Sequence, residues 1–165
     1  IVAGYNLPDS KFVQGGLNFK LPNGEHTGYI KNISFNDVHV LVKGGNPVSD
    51  TAAAPPELGV GQYNVSNLKV QPAYGLWARH VMDIHVKNCS FNFESTDKRY
   101  ALFFDDVIGA TIKNVKMVKA SENNKLINYK ETTQLTIDSV IYYDNKWGDK
   151  PVGFFAGQSR QMEKD

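Results

Sequence analysis

The chain repeats itself at a fixed interval, and that repeat limits its fold more than any other feature. Val86-Lys87-Asn88-Cys89-Ser90-Phe91 lies over Ile112-Lys113-Asn114-Val115-Lys116-Met117, and both lie over Ile137-Asp138-Ser139-Val140-Ile141-Tyr142. The steps are 26 residues from Val86 to Ile112 and 25 from Ile112 to Ile137. A second unit keeps the same register: Leu76-Trp77-Ala78-Arg79, Leu102-Phe103-Phe104-Asp105 and Ile127-Asn128-Tyr129-Lys130. Chance matches would not keep both spacings. Ile30-Lys31-Asn32-Ile33-Ser34-Phe35 reads as a further copy, and Val65-Ser66-Asn67-Leu68-Lys69-Val70 as a weaker one.

Within each unit apolar residues alternate with polar ones, the period of a half-buried strand. Leu76, Ala78, Ile84 and Val86 are expected to point inward. So are Leu102, Phe104, Ala110 and Ile112, then Ile127, Tyr129, Leu135 and Ile137. Trp77 and Arg79 are expected to point out. Short strands at this period, with no helical stripe, make each repeat one turn of an all-β solenoid. A single turn cannot bury its own apolar face, but stacked turns share a core. Asn32, Asn67, Asn88 and Asn114, with Ser139 last, fall at one turn position. Asparagine tolerates left-handed backbone there, and stacked amides can hydrogen-bond along the column.

The whole of 1–165 reads as one segment of about five to six coils of roughly 25 residues. Residues 44–61, with Asn46-Pro47, Pro55-Pro56 and three alanines, form an inserted loop without regular structure. Thr96–Arg99 is a short polar turn, and 121–125 another. Residues 157–165 are a polar tail or cap. The start of the chain carries no polar cap, so more coils upstream, or a partner chain, are expected to cover that end.

Composition narrows the function classes. A net charge of +1, without a run of like charges, argues against nucleic acid as a partner. No apolar run is long enough to span a bilayer. Cys89 is the only cysteine, so neither an intrachain disulfide nor a cysteine zinc site can form. No cluster has metal-ligand spacing and no glycine-rich phosphate loop is present, so no cofactor is expected. Three Asn-x-Ser sequons, at Asn32, Asn64 and Asn88, are discounted because the motif is short and common.

Pro72-Ala73-Tyr74-Gly75-Leu76-Trp77-Ala78-Arg79-His80-Val81 resembles a stretch near the C-terminus of family 28 glycoside hydrolases. The resemblance continues through Asp97-Lys98-Arg99-Tyr100-Ala101-Leu102 to Asp105-Asp106-Val107, and takes in Gly44-Gly45-Asn46-Pro47 and Pro55-Pro56-Glu57. It implies a right-handed parallel β-helix, hydrolysis of galacturonan or rhamnogalacturonan, and a secreted or periplasmic protein. The family hydrolyses with a carboxylic acid and a water-activating carboxylate. Its Gly-His-Gly and Arg-Ile-Lys motifs are missing here. Ser95-Thr96-Asp97 and Asp105-Asp106 imitate its other two but sit too close together. No catalytic residue is therefore assigned to this chain, and the catalytic carboxylates are expected upstream of Ile1. A polysaccharide lyase would need a calcium-binding carboxylate cluster, which the sequence lacks. Two alternatives stand beside the hydrolase reading: a non-catalytic carbohydrate-binding or structural β-helix module, and a polysaccharide lyase fragment.

Tyr74, Trp77, Arg79, His80 and Asp105 are the candidate substrate-binding residues. By register, Arg79, Asp105 and Lys130 form one outward column, which reads equally as a simple charge ladder. His80, Asp106 and Glu131 form a second column. Trp77 and Phe103 form a third, either a platform for pectic sugar rings or a face packed under the Gly/Pro loop.

Overall fold

The computed structural model describes residues 1–3, 29–56, 58, 64–120 and 125–144, with the backbone of 153–155 and 158–160. The chain is mostly β. Its strands are β1 (Val2–Ala3), β2 (Ile30–Asn36), β3 (His39–Gly44), β4 (Ala73–Lys87), β5 (Ser90–Ser95), β6 (Tyr100–Lys119), β7 (Ile127–Lys130), β8 (Thr133–Asp144), β9 (Gly153–Phe155) and β10 (Gln158–Arg160). All belong to one curled sheet. Pairing is parallel from β1 and β2 through β4 and β6 to β7 and β8. The exceptions are β9 and β10, which run antiparallel along β8.

The register reproduces the sequence repeat. Leu76 pairs with Leu102 and Leu102 with Ile127, while Val86 pairs with Ile112 and Ile112 with Ile137. Long strands such as β6 curl because the backbone turns at left-handed residues, and these corners also stand in columns. His80, Asp106 and Glu131 share one, with φ of 52°, 54° and 47°. Asp83, Gly109 and Gln134 share the second, at 63°, 77° and 56°. Asn88, Asn114 and Ser139 share the third, at 54°, 51° and 54°. A left-handed backbone costs a non-glycine residue roughly 1–2 kcal/mol, so short polar side chains that bond locally are favoured at such corners.

Between corners the side chains alternate, and the inward ones fill one core. Ala78, Val81, Ile84, Val86, Leu102, Phe104, Val107, Ile112 and Val115 are completely buried. Leu76, Ala110 and Leu135 are buried too, while Ile127, Tyr129 and Ile137 pack half-buried against the same cluster. The expected inward set is therefore the observed one. Each fully buried aliphatic or phenyl side chain contributes roughly 1.5–3 kcal/mol by leaving water.

Four expectations need correction. Val65–Leu68 is a single helical turn, α1, not a strand copy. The Asn64 side chain accepts from the Asn67 backbone N–H at 2.8 Å and starts that turn, while Leu68 alone is buried. The first copy is also displaced, because Phe35, rather than Ile30, pairs with Val86. Asn32 (φ 57°) therefore stands beside Asp83, and Asp37 (φ 59°) takes the corner beside Asn88. The amide column exists, but its members are Asn36, Asn88 and Asn114: Asn88 Nδ2 donates to Asn36 Oδ1 at 3.1 Å, and Asn114 Nδ2 to Asn88 Oδ1 at 2.8 Å.

Within the inserted loop, Val48–Ala52 forms a 3-10 turn, held by Asn46 Nδ2 donating to Asp50 Oδ2 at 2.8 Å. Residues 57 and 59–61 of that loop lie outside the described residues. Finally, Trp77 and Arg79 point away from the core but are not exposed. The loop accounts for part of this, since the Pro55 carbonyl reaches Arg79. Of the polar tail, Gln158–Arg160 lies along β8, while 157 and 161–165 fall outside the described residues. No described helix is long and apolar enough to cross a membrane.

Candidate functional site

The outward side of the first segments of β4, β6 and β7 carries the polar and aromatic candidates. Trp77 pairs with Phe103 and Phe103 with Asn128; Arg79 pairs with Asp105 and Asp105 with Lys130. Parallel pairing sets these neighbours roughly 4.8 Å apart. Arg79 Nε donates to Asp105 Oδ2 at 2.7 Å, and Nη1 donates to the Pro55 carbonyl at 2.7 Å. The guanidinium lies over the Trp77 ring, 4.7 Å from its centroid. Lys130 Nζ stands 4.0 Å from the other Asp105 oxygen. Tyr100 stacks on Phe103 with centroids 5.8 Å apart.

Burial makes this more than a surface charge ladder. The Arg79 and Asp105 side chains are only 8% and 10% exposed, whereas Lys130 is 63% exposed. An ion pair this far out of water survives only with good geometry and further hydrogen bonds, which the Pro55 carbonyl helps to supply. Trp77 is 1% exposed, yet its indole N–H has no hydrogen-bond partner. Leaving such a donor unpaired costs roughly 1–3 kcal/mol.

At the adjoining corner, His80 and Asp106 meet. His80 Nδ1 lies 2.7 Å from Asp106 Oδ2. An ionised carboxylate only accepts, which assigns the proton to Nδ1. The Tyr29 hydroxyl donates to the same oxygen at 2.5 Å, and its ring meets the imidazole edge-on at 6.0 Å. Burial first, then the hydrogen bond and charge of Asp106, push the Tyr29 hydroxyl well above the usual phenol range. A carboxylate that orients an imidazole is half of a general-base arrangement.

Tyr74 stands apart from both groups. Its hydroxyl donates inward to the backbone carbonyls of Val118 at 2.6 Å and Phe91 at 3.2 Å, and its ring packs edge-on against Phe93. Burial raises its ionisation far above that of a free phenol. Of the five candidates, then, Trp77, Arg79 and Asp105 come together, His80 adjoins them through the next column, and Tyr74 belongs to the core.

The remaining motif carboxylates are engaged. Asp97 is wholly buried and accepts from Arg99 Nε at 2.9 Å, Nη2 at 2.8 Å and the Arg99 backbone N–H at 3.1 Å. Asp105 and Asp106 face separate partners, as adjacent strand residues must. Among the described residues, no group of three or more His, Cys, Asp or Glu could hold a metal ion. Sequence reasoning missed Tyr29 and the Pro55 carbonyl. The proline pair did signal a rigid loop, but nothing in it says where that loop lands. No family model matches the chain, and neither a curated protein nor a solved structure matches it.

Proposed function

We propose that the chain is a stack of right-handed parallel β-helix coils and serves as non-catalytic framework in a secreted glycoside hydrolase acting on pectic polysaccharide. The observation that carries the framework role is that Asp97, Asp105 and Asp106 each hold a basic side chain at hydrogen-bond distance. A general acid and a water-activating base both need a carboxylate open to the scissile bond. The three corner columns and the parallel register of 25 to 26 residues support the β-helix reading. Parallel crossovers are right-handed in about 98% of cases. The pectic substrate rests on the resemblance around Pro72–Val81 and Asp97–Val107.

Incubation of the chain with galacturonan and with rhamnogalacturonan tests this reading. The expected result is binding of pectic oligosaccharide without release of reducing ends. Release of reducing ends by this chain would overturn the framework role. Binding of other polysaccharides but no pectic one would overturn the substrate class. The burial of Trp77, Arg79, His80 and Asp105 also favours a second reading, a purely structural β-helix module that binds no sugar.

A further inference from the structure

Trp77, Arg79 and Asp105 are an unusual set to bury beneath a loop. An indole N–H without a partner, a guanidinium and a carboxylate share one covered face, with Phe103 beside them. Segment 46–56 reaches this face through the Pro55 carbonyl on Arg79. It is pinned at one end by the Lys98 backbone N–H donating to the Asn46 carbonyl at 2.9 Å, and at the other by Pro55 on Arg79. It leaves β3 through two left-handed glycines, Gly44 (φ 71°) and Gly45 (φ 97°). A Cβ at Gly44 would lie 2.1 Å from the Ser95 carbonyl oxygen, whereas one at Gly45 would meet nothing. Gly44 is thus a fixed point and Gly45 a pivot in open space.

We infer that segment 46–56 is a strap over a latent binding site for a carboxylated sugar, and that the Pro55 carbonyl occupies the guanidinium donor a ligand carboxylate would take. This inference rests on the carbohydrate reading above. With the strap lifted, Trp77 and Phe103 line the site as an apolar floor, with the Arg79 guanidinium over the Trp77 ring and Tyr100 stacked on Phe103. Arg79 Nη1 exchanges a neutral carbonyl for a carboxylate, a charge-assisted bond of roughly twice the strength. Asp105 stays held by Arg79 Nε and accepts from ring hydroxyls, and the indole N–H gains an acceptor. Lys130, already exposed, adds a second positive charge at the margin. The strap is an internal competitor, so the site's affinity is reduced by the fraction of time it is covered.

The test is calorimetric titration of trigalacturonate into three proteins: the chain as it is, a variant with 46–56 replaced by a short Gly-Ser linker, and Pro55→Gly/Pro56→Gly, which loosens the strap without shortening it. Circular dichroism checks that each is folded. The expected result is at least tenfold tighter binding in the strap variants, lost again when Arg79→Lys is added, because a single ammonium lacks the planar fork whose separate nitrogens reach Asp105 and the ligand. Equal binding by all three proteins would sink the strap inference and leave the pectic reading standing. If the strap variants bind a glucuronate oligosaccharide tightly and trigalacturonate not at all, the strap stands and the pectic substrate falls. Failure of every variant to bind either acidic sugar overturns the inference.

Discussion

Asn114 donates its side-chain amide to the carbonyl of the Asn88 side chain at 2.8 Å, and both residues hold a left-handed backbone at stacked corners. One residue type therefore meets two demands, a permitted positive φ and a bond along the column. The two demands can be separated. Asn88→Gly keeps the backbone but loses the bonds to Asn36 and Asn114, and should cost about 1 kcal/mol; Asn88→Ala adds the left-handed penalty and should cost about 2–3 kcal/mol. Urea unfolding of both variants checks the order.

The Arg79–Asp105 pair gives a sharper contrast. Asp105→Ala strands a buried guanidinium and should destabilise by about 3–5 kcal/mol. Replacing both partners, as Arg79→Met with Asp105→Leu, should recover most of that loss, since no charge is then left buried. Equal destabilisation by the single and double variants would show that the loss comes from packing under the loop, not from the charge.

Gly75 is boxed in more tightly than any sequence rule suggests. A Cβ there would lie 2.6 Å from the Ala101 carbonyl oxygen and 2.6 Å from the Phe91 ring. Gly75→Ala should cost about 2 kcal/mol or more by overpacking, with the thermal midpoint as readout. The partners belong to two different strands, so the backbone cannot yield to both.

Alkaline pH should destabilise the protein through the buried Tyr74 phenol and the half-buried Tyr29 phenol. Burial raises the ionisation of Tyr74, and burial with Asp106 raises that of Tyr29. Unfolded tyrosine ionises near pH 10, so this stability is complete below about pH 10 and falls as pH rises beyond it. Tyr74→Phe should flatten the decline in midpoint between pH 9.5 and 11.5, roughly the window that model phenols define. An unchanged slope in that variant would assign the decline to other groups.

The repeat and the inward alternation were legible because both are local patterns that the pairing register copies. Leu76, Leu102 and Ile127 needed only a count of residues. The displaced first copy was not legible: Ile30–Phe35 matches Val86–Phe91 in residue type, but Phe35, rather than Ile30, faces Val86. Conformation at the corners depends on backbone φ, which Gln134 and Glu131 adopt without any sequence signal. The candidate site was half legible. The columns Trp77–Phe103 and Arg79–Asp105–Lys130 follow from register, but their burial depends on where the Pro55 carbonyl lands, a long-range contact that no local pattern encodes.

The stacking of one repeat on the next is tested most directly by cross-linking. In a Cys89→Ala background, Asn88→Cys with Asn114→Cys should oxidise almost completely, because parallel neighbours stand about 4.8 Å apart, within disulfide reach. Asn88→Cys with Lys116→Cys, displaced by two residues, should stay reduced. Intact mass under mild oxidation reads both. A bond in the displaced pair, or none in the aligned pair, would contradict the stacked register on which the whole account rests.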